Sequence, residues 1–158
     1  MFTAAAKQLE GVDDATPFGL HRTSVIAYFF MLREIELSLM LYDSVTLEME
    51  AMIVRILLPA SKTDPAALSC TRFWVCVCED ASKPDENKCP FHAAVVQKAK
   101  LDEKFGEIVH TDGFTFAPGP DGDTVSKPQM VKSIQKTAHI AGLRLKDDEG
   151  RDIHTGHI

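Results

Sequence analysis

The stretch from Val25 to Tyr42 constrains the fold more than any other part of the chain, because it is strongly apolar and yet has charges at its centre. Its length would suit a membrane span. Arg33, Glu34 and Glu36 lie in the middle, however, and each such charge costs about 2.5–3.5 kcal/mol at the centre of a spanning helix. The sequence therefore predicts a buried helix of a globular protein, running from about Thr23 to Tyr42.

Two more helices have clear boundaries. One is predicted to begin near Pro90, since proline is tolerated in a first turn, and to end at Gly106. The other begins after Ser126, which forms a capping box with Gln129, and Gly142 is a suitable C-terminal stop.

The strand signals lie between the first and second helices. Met52–Leu58 and Thr71–Cys78 are rich in β-branched and apolar residues and are separated by a turn bounded by prolines. They predict an antiparallel hairpin with Lys62 near its tip, and Val45–Leu47 predicts a short additional strand. The order of elements predicts an α+β fold, with helices packed around a small antiparallel β-hairpin sheet. Residues 1–20 predict a weakly structured lead-in, because glycine and proline interrupt them.

Composition limits the functional classes. The 158 residues suit one domain with a real core, and the formal net charge is −6. Duplex DNA is bound largely through Lys and Arg, so the charge balance does not favour DNA binding, although a local basic groove can coexist with an acidic exterior. Residues 1–16 are mixed and charged and show no secretory signal, so we expect an intracellular protein, nuclear if it binds DNA.

Four soft ligands suggest a metal site. Cys76 and Cys78 are two residues apart and share one face of a predicted strand. Ten residues separate Cys78 from Cys89, which shares the first turn of a predicted helix with His92. Three Cys and one His form a familiar ligand set for structural zinc, although Cys-x-Cys is tighter than the usual spacing. The alternative is reduced cysteine packed on a half-buried strand. We expect Cys70 to pack rather than to coordinate metal.

Arg33 and Glu36 are the first candidates for chemistry. They are three positions apart, so they can meet on one helix face, and an intrahelical ion pair that tolerates burial would explain them. Lys62, in the segment Leu57-Leu-Pro-Ala-Ser-Lys-Thr-Asp-Pro65, would ordinarily be a solvated turn residue. The chain ends Thr155-Gly-His-Ile158, where His157 would ordinarily be solvated as well.

Taken together, these segments resemble the catalytic domain of tyrosine recombinases, the phage-integrase-like enzymes, in the version found in eukaryotic mobile elements. The resemblance covers roughly residues 17–158. It implies that Arg33 grips the scissile phosphate, that Glu36 holds Arg33 in place, and that Lys62 protonates the leaving hydroxyl. It also implies that His157 is the His of a His-x-x-Arg motif, with His154 as a competitor for that assignment.

The resemblance also implies an incomplete active site. The sequence ends one residue after His157, so the second Arg, the later His or Trp, and the tyrosine nucleophile have no position. Tyr28 and Tyr42 lie in or near the first predicted helix. We therefore expect residues 21–158 to form a partial catalytic domain that lacks the C-terminal helices and is inactive as given.

Three interpretations follow from the sequence. The first is a fragment of a DNA recombinase whose family chemistry requires no cofactor, with DNA as partner, no membrane, and other recombinase subunits as partners only for a full-length form. The second is a zinc-stabilised, non-catalytic module that binds nucleic acid or protein. The third is a purely structural product of a decayed element.

Overall fold

We analysed a computed structural model, which describes residues 1–10, 15–58, 70–80 and 83–153. The elements in these residues form an α+β fold. The α-helices are α1 (Phe2–Glu10), α2 (Leu20–Phe30), α3 (Glu34–Leu39), α4 (Pro90–Phe105) and α5 (Lys127–Ile140). The strands are β1 (Val45–Glu48), β2 (Ile53–Leu58) and β3 (Cys70–Val75), and a 3₁₀ helix spans Gly106–His110.

The three strands form one antiparallel sheet in the order β1-β2-β3. The β2–β3 pairing runs from Ile53 opposite Val75 to Leu58 opposite Cys70, which confirms the predicted hairpin. Alternate β2 side chains, Val54, Ile56 and Leu58, are buried, as the two-residue period of a strand requires. Lys62, predicted near the hairpin tip, lies outside the described residues.

Helix α4 is central, since it contacts α2 and all three strands. Its bounds confirm the predicted start at Pro90 and the predicted end at Gly106. Ser126 caps α5 as predicted: its backbone N–H donates to the Gln129 side chain at 2.9 Å. Helix α5 packs against α1 and α3, so the chain from residue 127 to 140 covers the side of the core away from the sheet.

The single helix predicted from Thr23 to Tyr42 is wrong. Helix α2 ends at Met31, which adopts a left-handed conformation with φ 51°, and α3 begins only after Arg33. Arg33 and Glu36 lie at the break between the two helices. Glu36 accepts a hydrogen bond from the backbone N–H of Arg33 at 2.8 Å and pairs with its guanidinium at 2.9 Å. One continuous helix would have forced these charges into the apolar core.

Within the predicted weakly structured lead-in of residues 1–20, Phe2–Glu10 instead form a packed helix. Helix α1 contacts α2 and α5, and Ala5, Ala6 and Leu9 on it are buried. Alanine and leucine are strong helix formers, and the small alanine side chains let the helix lie close to its neighbours. Among the described residues, the helices are all too short or too polar to cross a lipid bilayer.

A buried polar network ties α4 to the preceding helices. Gln97 on α4 is completely buried, and its amide nitrogen donates to the carbonyls of Phe18 and Phe116 at 3.1 and 2.9 Å. Its amide oxygen accepts the Nε–H of Arg22 at 2.8 Å. Because every polar atom of the amide has a partner, burial of Gln97 fixes the crossing of α2 and α4.

Candidate metal centre

Cys76, Cys78, Cys89 and His92 lie together, and their ligand atoms are all within 4.8 Å of one another. The four side chains could therefore bind a metal ion. Cys89 is buried, and the other three side chains are half-buried. This confirms the sequence prediction that the four residues converge.

Two neighbouring elements bring the ligands together. The backbone N–H of Cys76 donates to the Met52 carbonyl at 2.8 Å, which extends the β2–β3 pairing beyond Val75 to the first ligand. Cys89 is the N-cap residue of α4, and His92 follows in its first turn. The site thus joins the end of β3 to the start of α4.

Three of the six distances between the ligand atoms match the edges of a tetrahedral zinc site, and all six are within 4.8 Å. Zn–S bonds of about 2.3 Å place two sulfurs about 3.8 Å apart in a regular tetrahedron, and a Zn–N bond of about 2.0 Å gives a sulfur–nitrogen edge of about 3.5 Å. The Sγ atoms of Cys76 and Cys89 are 3.7 Å apart. Nδ1 of His92 lies 3.7 Å from Sγ of Cys76 and 3.4 Å from Sγ of Cys78.

Backbone N–H groups point at the sulfurs. The N–H of Val77 donates to Sγ of Cys89 at 3.5 Å, and the N–H of Cys78 donates to Sγ of Cys76 at 3.4 Å. Burial alone would raise the pKa of Cys89, but donors that include the N–H groups of His92 and Val77 bring it below its ordinary value. Burial raises the pKa of the Cys76 thiol to about 11. The buried sulfur is thus the one best prepared to be a thiolate.

Two features surround the centre. Cys70 at the start of β3 is exposed and lies outside the cluster, so the prediction that it packs is wrong, although it does not join the ligands. A cavity of about 410 Å³ borders Cys78 and Cys89 and is lined by charged side chains that include Glu79, Asp80 and Lys88. Small solutes can therefore approach the centre from this side.

Arg33 and Glu36 form a second feature, at the junction between α2 and α3. The Arg33 side chain is 39% exposed and Glu36 is 23% exposed. Burial favours the neutral carboxyl of Glu36, but the hydrogen bonds from the Arg33 side chain and N–H prevail and lower its pKa. Glu36 is therefore an anion that orients a solvent-accessible guanidinium.

The β3 strand lies beside this junction. Arg72 donates to the carbonyl of Phe30 at 2.9 Å, and its charge also helps to lower the pKa of Glu36. Further along the strand, Trp74 packs edge-on against Phe29 with ring centroids 5.3 Å apart. Of these two β3 residues, Arg72 is the one whose charge acts on the Arg33–Glu36 pair, and it is nearer than Trp74 to the start of the strand. Lys62 and His157 lie outside the described residues, so the roles that the resemblance implies for them stay predictions.

A groove on α5 that both basic and apolar side chains line was not predicted from the sequence. It has a volume of about 700 Å³, and Lys132, Lys136 and His139 line it together with Leu9 of α1. The three basic residues are four and three positions apart, which places them on one helix face. The signal in the sequence was available, because Lys127–Ile140 contains no acidic residue although the whole chain is acidic.

We compared the chain with protein-family models, with curated proteins and with solved structures, and none of them matches it. The function of the chain is therefore inferred from the geometry of the described residues.

Proposed function

We propose that Cys76, Cys78, Cys89 and His92 bind one structural zinc ion, and that the domain stabilised in this way binds DNA. The observation that carries the first half is the agreement between the cluster and a zinc tetrahedron, with a sulfur–sulfur edge of 3.7 Å. Four protein ligands leave no open coordination position for a substrate, which is the arrangement of structural rather than catalytic zinc. The ion would cross-link the end of β3 to the start of α4.

Metal analysis tests the zinc proposal. The purified chain should carry about one zinc ion, and a chelator should remove it and lower the melting temperature, since binding to the folded state alone stabilises that state. Cys78→Ser should lose the ion, whereas Cys70→Ser is the matched control because exposed Cys70 is outside the cluster. A zinc-free protein whose melting is unchanged by chelation would refute the proposal.

The resemblance to tyrosine recombinases suggests DNA as the partner, and two features support it. Arg33 is partly exposed and is oriented by an anionic Glu36, as a phosphate-binding arginine requires. Helix α5 presents Lys132, Lys136 and His139 along a groove, and such a basic face can neutralise phosphates even on an acidic protein. We infer that Arg33 contacts a DNA phosphate, in the role that the family gives to this arginine.

Binding of a fluorescent DNA duplex, followed by anisotropy at several salt concentrations, tests this role. Arg33→Ala should weaken binding uniformly across sequences and reduce the slope of log affinity against log salt by about one. Arg55→Ala is the matched control: Arg55 is 36% exposed and is also paired with a glutamate, Glu48, but belongs to the sheet. Equal effects of the two substitutions would remove Arg33 from the DNA interface, and absence of binding by the unaltered chain would refute DNA as partner.

A further inference from the structure

The spacing of two zinc ligands suggests a regulated centre. This inference rests on the zinc site proposed above. We propose that the centre is redox-sensitive: hydrogen peroxide converts Cys76 and Cys89 into a disulfide, zinc leaves, and the new bond preserves the link between β3 and α4.

The distance between the sulfurs of Cys76 and Cys89 suits a disulfide. Sγ of Cys76 lies 3.7 Å from Sγ of Cys89, so a contraction of less than 2 Å reaches the disulfide length of about 2.05 Å. Cys76 is half-buried and accessible, whereas Cys89 is fully buried. The accessible sulfur is therefore suited to meet the oxidant, and the buried one is suited to resolve the product.

The chemistry needs peroxide and two protons. Cys76, which is a thiolate whenever it ligates zinc, attacks one oxygen of hydrogen peroxide and breaks the O–O bond, which gives a sulfenic acid at Cys76 and, after protonation, one water. The Cys89 thiolate then attacks the Cys76 sulfur and displaces hydroxide, which takes the second proton and leaves as water. The two sulfurs lose two electrons in total, and the two peroxide oxygens gain them.

The structural consequence differs from that of chelation. After oxidation, Cys78 and His92 alone face the ion, and two ligands are too few for a closed zinc site. The disulfide nevertheless joins the same two elements as the metal did, because Cys76 follows β3 and Cys89 caps α4. The oxidised, zinc-free domain should therefore stay folded, whereas the reduced, zinc-free domain loses this cross-link altogether.

Peroxide treatment of the zinc-loaded, full-length chain tests the inference. Released zinc is measured with a colorimetric chelator, the disulfide is mapped by mass spectrometry, and thermal melting is followed by circular dichroism. We expect zinc release to rise in step with a Cys76–Cys89 disulfide, and we expect the oxidised protein to melt above the chelated, reduced protein. Cys70→Ser should behave like the unaltered chain.

A second variant keeps the test independent of zinc occupancy. Cys78→Ser retains both partner sulfurs and should form the same disulfide even without metal, whereas Cys76→Ser should not form an intramolecular disulfide through Cys89. Zinc that is retained under peroxide, or released with a disulfide through Cys78 or Cys70, would overturn the redox inference and leave structural zinc intact. A chain that never binds zinc would overturn both.

Discussion

Replacement of Gly19 by alanine should destabilise the domain far more than the same change at Gly113. Both glycines have positive φ, 70° and 85°, so both alanines carry backbone strain of about 1–2 kcal/mol. At Gly113 a new Cβ would meet nothing within 4 Å. At Gly19 it would lie 2.6 Å from Nε2 of Gln97 and even closer to Oε1 of the same side chain.

The extra cost comes from the displaced amide. Gln97 makes three hydrogen bonds, two to backbone carbonyls and one from the Arg22 guanidinium, and all are in the interior or nearly so. The two bonds to carbonyls are each worth about 0.5–1.5 kcal/mol, and the bond from the charged Arg22 is worth about 1.5–3 kcal/mol. Gly19→Ala should therefore lower the free energy of unfolding by about 2.5–6 kcal/mol more than Gly113→Ala.

Urea unfolding of the two variants measures this difference, and a double-mutant cycle identifies its cause. Gln97→Ala removes the group that the new methyl would strike, so in that background Gly19→Ala should cost no more than Gly113→Ala. If the two glycine substitutions cost the same in the unaltered chain, the close approach of α2 to α4 described above would be refuted.

Two further substitutions test charged groups. Glu36→Gln should cost about 1 kcal/mol near neutral pH and little once pH is below the folded-state pKa. The pKa of Glu36 is lowered in the folded state, so its contribution is present above the unfolded pKa of about 4.3 and is lost as pH falls through the folded value. Urea unfolding against pH checks this, with exposed Glu50→Gln as control, and a parallel acid limb in both variants would contradict it. Lys98→Met should cost about 1–3 kcal/mol in thermal or urea unfolding, because its ammonium donates to the carbonyls of Tyr42 and Val45 at 3.0 Å and lies 3.5 Å from the Tyr42 ring centroid. Lys100→Met, which removes only an exposed ion pair with Glu103, should cost less than about 0.5 kcal/mol, and equal costs would argue against the buried role of Lys98.

The features that could be predicted from the sequence are those with local causes. The capping box of Ser126 and Gln129 depends on residues within one helical turn. The convergence of the zinc ligands depends on two short-range features: Cys76 and Cys78 follow directly after β3, which ends at Val75 rather than at the predicted Cys78, and Cys89 and His92 share one helical turn. Only the meeting of the two pairs is a long-range event, and the short loop between them leaves few alternatives.

The features that could not be predicted depend on tertiary contacts. No glycine or proline marks the break at Met31, whose left-handed backbone is followed by the Arg33–Glu36 pair that begins α3. Helix α1 was missed because the breakers after it concealed a short segment whose alanines are stabilised by burial against α2 and α5. Gln97 shows no pattern in the sequence, since its partners come from α2, from the residues before α2 and from those after the 3₁₀ helix.

The metal centre lies just beyond the end of β3, a strand that is held by little burial of apolar surface. All six residues of β3 are exposed, so the strand contributes little of the buried apolar area that holds the rest of the core together. Its attachments among the described residues include the pairing with β2, the Arg72 bond to Phe30 and the Trp74 contact with Phe29. A cross-link at Cys76 acts where the strand ends and anchors it to α4, the helix with the widest contacts in the domain. Because β3 also borders the Arg33 junction, a cross-link that fixes the strand helps to fix the surface proposed to meet DNA.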